Sequence, residues 1–187
     1  MLFLMVRVLV PLADGFEEME GIIIIDVLRR AGVEVIVAGL DKKEIVASRK
    51  TKHIADYTLD EVKDWEYDAI VLPGGSEGAK RLENDERIKQ IIERLHQKNK
   101  VIGAICAAPN VLLKHNILHE DDVFTLHPST LPSNYTGKYV DERVVKSRNI
   151  YTSKGPGTSF EFALSLVEEL CGKEVREKVE APMFVKR

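Results

Sequence analysis

The sequence predicts an α/β domain in which a mostly parallel central sheet is covered by helices on both faces. Three features point to it. Short apolar runs alternate with amphipathic helical patterns along most of the chain. At 187 residues the chain is long enough for one substantial core without staples. Its apolar fraction of 44% and charged fraction of 30% are those of an ordinary globular protein.

Taken in order, Val6–Leu12 reads as a first buried strand, with Met1–Met5 as a lead-in. A helix is expected over roughly Gly15–Arg30, because Asp14 is an N-cap candidate with Glu17 three residues later. The run Ile22-Ile-Ile-Ile25 makes that helix apolar nearly all round, so it needs cover on more than one side. The sheet supplies one side, and a second copy of the chain is the expected cover for the other. Val33–Ala38 is the second strand and Ala69–Leu72 the third, closed by the turn Pro73-Gly74-Gly75. Asp85–Lys98 reads as a helix with Ile88, Ile91, Ile92 and Leu95 on one face. Val101–Ile105 is the fourth strand, followed by a helix over Ala107–Lys114. The last pair is Ile150–Ser153 and a helix from Ser159 to Cys171, opened by Thr158-Ser-Phe-Glu161 and closed by Gly172. Residues 44–63 and 121–149 are polar and mixed, and read as hairpin and loop additions. No repeat, linker or low-complexity tract divides residues 1–187, so one domain is expected.

A net charge of −3 gives no electrostatic basis for nucleic acid or an anionic membrane as partner. Two cysteines, Cys106 and Cys171, are too few for a disulfide framework. The apolar start is interrupted by Arg7 and Pro11 and is too short to span a bilayer. A cytoplasmic chain is expected.

In an open parallel sheet, ligands bind at the carboxyl ends of the strands. Asp14–Glu20, Pro73–Gly78 and Cys106–Pro109 all fall there. Cys106 stands where a strand turns straight into a helix, with helix N-terminal amides nearby that favour the thiolate. The alternative is a buried cysteine packed as a small apolar residue. Glu20, in the second turn of the first helix, can point back toward Cys106. Two charges there repel, so one proton is expected to be shared, lowering the thiol and raising the carboxyl. Glu17 and Glu18 are read as complements to the helix dipole. Gly74 and Gly75 allow close backbone approach to a ligand or an oxyanion. His127 could carry a proton for Cys106 or be a structural histidine. His115 and His119 lack a third ligand, so no metal site is expected. Ala107 follows Cys106, leaving no adjacent histidine base for amide hydrolysis, and no G-x-S-x-G elbow occurs.

Together, Asp14-Gly-Phe-Glu-Glu-Met-Glu20, Arg29-Arg-Ala-Gly-Val33, Val71-Leu-Pro-Gly-Gly75, Ala104-Ile-Cys-Ala-Ala-Pro109, His127-Pro128 and Thr152–Leu164 resemble the ThiJ/PfpI superfamily. More narrowly, they resemble the branch holding the parkinsonism-associated protein deglycase and the bacterial ThiJ and YajL proteins. The resemblance implies a flavodoxin-like sandwich and a homodimer. It implies Cys106 as the reactive elbow cysteine, Glu20 as its protonated partner, and the amides of Gly75 and Ala107 as an oxyanion site with His127 nearby. Arg30 and Arg49 would frame the pocket near the dimer interface, and Asp26 would join the same buried polar cluster. Lys154 replaces an arginine common in animal relatives, and Ile54 an interface cysteine. The implied activity is a glyoxalase needing no glutathione, metal or other cofactor, or a deglycase of glycated proteins. The alternative is a stress-response protein that senses oxidation at Cys106 without turnover.

Overall fold

The computed structural model describes residues 5–185; Met1–Leu4 of the expected lead-in lie outside them. The strands form where buried parallel pairing demands near-continuous apolar runs. They are β1 (Arg7–Leu12), β2 (Glu34–Gly39), β5 (Tyr57–Thr58), β6 (Ala69–Leu72), β7 (Val101–Ile105), β8 (Val144–Ser147) and β9 (Ile150–Ser153). They make a seven-stranded sheet in the order β5-β2-β1-β6-β7-β9-β8, parallel except for β8, which returns antiparallel to β9. A small separate hairpin pairs β3 (Glu44–Val46) with β4 (Lys52–Ile54). It accounts for the first part of the hairpin and loop expected over residues 44–63, whose remainder instead forms β5 of the main sheet and the short helix α2 (Leu59–Val62), and β8 with β9 forms a hairpin at the end of 121–149.

Side chains alternate across the sheet, as strand geometry requires. Leu9, Ile70, Leu72, Ile102 and Ala104 enter one core, beneath α2 (Leu59–Val62), α3 (Ser76–Glu83), α4 (Glu86–Gln97) and α5 (Pro109–Lys114). Val8, Val10, Val71 and Ile105 enter the other, beneath α1 (Glu18–Arg30), α6 (Ser159–Cys171) and α7 (Lys173–Glu180). In α4, Ile88, Ile91, Ile92 and Leu95 are all buried, and Asp85 caps the helix by accepting from the amides of Arg87 (2.9 Å) and Ile88 (3.2 Å). Gly172 ends α6 with φ 93°, a left-handed conformation open to glycine.

Some boundaries differ from the sequence reading. α1 begins at Glu18, not near Gly15, because Gly15 adopts φ 85° and cannot enter the helix. Asp14 does not cap it; its carboxylate accepts from the Val46 amide at 2.8 Å and holds the hairpin. Glu17 is the cap instead. Thr158 makes no cap to α6, since its hydroxyl serves Gly155 and Ser153. α2, α3 and α7 are absent from the sequence reading. α1 packs alongside α6, while Met19 and Ile22 on its outer face are 56% and 41% exposed. Among the described residues no helix is long and apolar enough to cross a membrane.

Candidate active site

β6 lies between β1 and β7, so the loops leaving these three strands meet at the carboxyl edge of the sheet. Cys106 follows β7 directly with φ 65°, an unusual conformation for a residue with a side chain. Two other segments pin this elbow. The Cys106 amide donates to Ser153 O at 2.9 Å, and its carbonyl accepts from the His127 amide at 2.9 Å. The amides of Gly75 and Ala107 face Sγ and favour its charged form.

The chain can come this close only because of the glycine pair. A Cβ on Gly74 would lie 2.5 Å from both Cys106 Cβ and Glu20 Oε2. Gly75 has φ 86°, and a Cβ there would meet Gly15 O at 2.4 Å.

Glu20 is fully buried. Its Oε2 accepts from the Gly74 amide at 2.8 Å, its other oxygen has no hydrogen-bond partner among the described residues, and the carboxyl also interacts with the Cys106 thiol. Burial pushes the carboxyl up to about 7, against the opposing pull of the Cys106 thiol and the Gly74 amide. Burial also pushes the Cys106 thiol up, to about 12, helped by the Glu20 charge and by hydrogen bonding to Glu20. The expected lowering of the thiol is therefore not found with Glu20 ionised. Between about 7 and 12 the pair holds one proton and one negative charge, so a thiolate in that range exists only when the proton sits on Glu20.

Glu17 and Glu18 do more than complement a dipole. Glu17, 9% exposed, accepts from the Glu20 amide at 2.9 Å, and its own amide donates to Gly74 O at 3.0 Å. Its charge also pushes the Glu20 carboxyl up. Glu18 accepts from Ser48 Oγ (2.8 Å), the Arg49 amide (2.8 Å) and Thr51 Oγ1 (3.1 Å), clamping the turn of the small hairpin onto α1. The Glu17–Glu20 spacing was a local signal for the cap; the partners of Glu18 lie about thirty residues away and leave none.

Cys106 opens into a cavity of about 590 Å³ whose lining includes Glu17, Arg49, Gly75, Ser76, His127 and Thr130. His127 is exposed at its rim, and its Nδ1 accepts from the Ser129 amide at 3.3 Å, which leaves the proton of a neutral ring on Nε2. Arg49 is among the residues that line the cavity. Arg30 does not: it is exposed on α1 and pairs with Asp26 one turn away. Asp26 is likewise exposed in the single chain, outside any buried polar cluster, because it shares the outward face with Ile22. Cys171 is half-buried against the core, and burial pushes its thiol up. Among the described residues no group of three or more His, Cys, Asp or Glu is placed to hold a metal ion.

The fold and site define a flavodoxin-like α/β protein with a cysteine on a strand–helix elbow against a buried glutamate. The chain belongs to the DJ-1/PfpI family, whose model matches residues 6–169. It is 45% identical to the Parkinson disease protein 7 homolog of Danio rerio, over 96% of this chain and 97% of that protein. It is 37% identical to the glutathione-independent glyoxalase DJR-1.2 of Caenorhabditis elegans, over 94% of each. The crystal structure of Drosophila melanogaster DJ-1beta superposes with a TM-score of 0.94 at 40% identity, covering 98% of this chain and all of that one.

Proposed function

We propose that this protein is a cysteine-dependent, glutathione-independent glyoxalase that converts glyoxal or methylglyoxal to the hydroxyacid. The observation that carries this reading is the Cys106 thiol set between the buried Glu20 carboxyl and the amides of Gly75 and Ala107. With its proton on Glu20, the Cys106 thiolate adds to the aldehyde carbon and forms a hemithioacetal. The Gly75 and Ala107 amides steady the oxygen formed on that carbon. That oxygen takes the Glu20 proton, which completes the hemithioacetal and leaves Glu20 a carboxylate; Glu20 then takes the proton from the same carbon and returns it to the neighbouring carbon through an enediol. Water then releases the hydroxyacid from the thioester and restores the thiol. His127 Nε2–H, at the cavity rim, supplies a second proton carrier, and Arg49 attracts the carboxylate product. The same groups would act on early aldehyde adducts of proteins, which is the deglycase form of the reading.

The reading extends to a homodimer, supported by the exposed Met19 and Ile22 of α1, with Arg30 and Asp26 on that outer face. It also extends to a reducing cytoplasm, in which Cys106 stays a free thiol. The test is lactate formation from methylglyoxal without glutathione, comparing wild type with Cys106→Ser. Turnover lost in the variant is expected; wild-type turnover no higher than that of a correctly folded variant would sink the glyoxalase reading. Glu20→Gln should abolish turnover as well. If turnover survives that change, Glu20 is not the proton carrier.

A further inference from the structure

A second cavity, of about 480 Å³, lies between α3 and α5 beside the Cys106 cavity. Ser76 and Thr130 line both cavities. Ala107, whose amide faces Sγ, lines the second. Its remaining walls include Ala79, Leu113 and Pro132, so the trench is largely apolar. One wall is fixed, because Asn110 Nδ2 donates to Thr130 O at 3.0 Å. The far end is charged: Lys80, Glu83 and Lys114 line it, with Lys114 3.4 Å from Glu83.

Cavities of roughly 300–1,000 Å³ hold drug-sized ligands. The Cys106 cavity at about 590 Å³ and the adjoining trench at about 480 Å³ each exceed what a three-carbon aldehyde fills. Ser76 and Thr130, common to both linings, mark where the two cavities adjoin.

We propose that the trench between α3 and α5 is a substituent subsite, so that the Cys106 centre takes 2-oxoaldehydes bearing an apolar group of phenyl size. The proposal rests on the glyoxalase reading and names its substrate class. The aldehyde carbon of R–CO–CHO bonds to Sγ while R passes over Ser76 into the trench. The proton leaving the aldehyde carbon is replaced by one at the ketone carbon, so that carbon is reduced as the aldehyde carbon is oxidised, with no external oxidant. Water cleaves the C–S bond of the thioester, and the balance is R–CO–CHO plus water to R–CHOH–COO⁻ plus a proton.

The experiment compares kcat/KM for phenylglyoxal and methylglyoxal in wild type, Ala79→Leu and Leu113→Ala. Filling or enlarging an apolar pocket by a few carbons is worth roughly 10–200-fold. Ala79→Leu should lower the phenylglyoxal-to-methylglyoxal ratio at least about tenfold, and Leu113→Ala should raise it. A readout that needs no turnover runs beside it: alkylation of Cys106 by 2-iodo-N-phenylacetamide relative to iodoacetamide, read on the Cys106 peptide. The aryl reagent should be slowed selectively by Ala79→Leu and favoured by Leu113→Ala. Ratios unmoved in both readouts would assign the trench to something other than the substrate, a docked polypeptide included, and overturn the proposal. If alkylation ratios shift while wild type turns over neither aldehyde, the subsite for groups carried on Cys106 stands and the glyoxalase reading falls. Should Ala79→Leu fail to fold, Leu113→Ala alone decides.

Discussion

Replacing Glu20 by glutamine should flatten the dependence of stability on pH. The folded protein holds the Glu20 carboxyl at about 7, against an ordinary value of 4.5. Below pH 4.5 folded and unfolded chains both carry the proton, and the group costs nothing. Between there and pH 7 the unfolded chain releases the proton that the folded chain retains, so stability falls by about 1.4 kcal/mol for each pH unit. Above pH 7 the loss levels off at about 3 kcal/mol. Glutamine can still accept from the Gly74 amide but has nothing to titrate. Urea denaturation of wild type and Glu20→Gln at pH 4.5, 6, 7 and 8, at one protein concentration, measures the difference. The variant should gain about 3 kcal/mol relative to wild type across that range, whatever its absolute stability. Histidines and surface carboxylates titrate in both proteins and cancel. Parallel pH curves would refute the claim that burial holds a proton on the Cys106–Glu20 pair.

Three further outcomes follow from the same geometry. Glu17→Gln keeps an acceptor for the Glu20 amide but removes the charge that pushes the Glu20 carboxyl up; the acid limb of the kcat/KM profile should move to lower pH, and an unmoved limb would leave Glu17 a cap only. Gly74→Ala forces a Cβ within 2.5 Å of Cys106 Cβ and Glu20 Oε2, and displacing reacting groups on this scale costs on the order of 100-fold in turnover. Asp85→Ala removes the α4 cap and a partner of Arg87, so the urea midpoint should fall by the equivalent of about 1–2 kcal/mol with no change in the aldehyde preference.

The central strands were legible as short runs that are apolar throughout or open on apolar residues: Ala69–Leu72, Val101–Ile105 and Ile150–Ser153 stand where the pattern puts them. The start of α1 was not, because the left-handed Gly15 and the use of Asp14 by Val46 depend on a hairpin more than thirty residues downstream. α3 escaped because its polar first turn follows a glycine pair that reads as an isolated loop. Cys106, Gly74 and Gly75 could be brought together because each directly follows a strand whose neighbours in a parallel sheet can be anticipated. Glu20 joined them through its place in the second turn of α1. The direction of the Cys106 thiol could not be anticipated in the same way. It depends on how deeply elbow and carboxyl are jointly buried, which no local pattern encodes. Arg30 came from resemblance, and in the single chain it faces away from the cavity.

The ends of the sheet have a consequence for how the protein meets its own copies. One margin is β5, two residues long, and the other is β8, four residues long, where Lys146 carries its charge against Glu169 and Arg148 follows at once. Little unpaired backbone is left for a foreign strand to extend, and the longer margin bears cations. Growth by strand addition, the route toward fibrils, is thereby discouraged while the fold is intact. Encounters between native molecules are left to helical surfaces, where contacts are made by side chains and can be reversed.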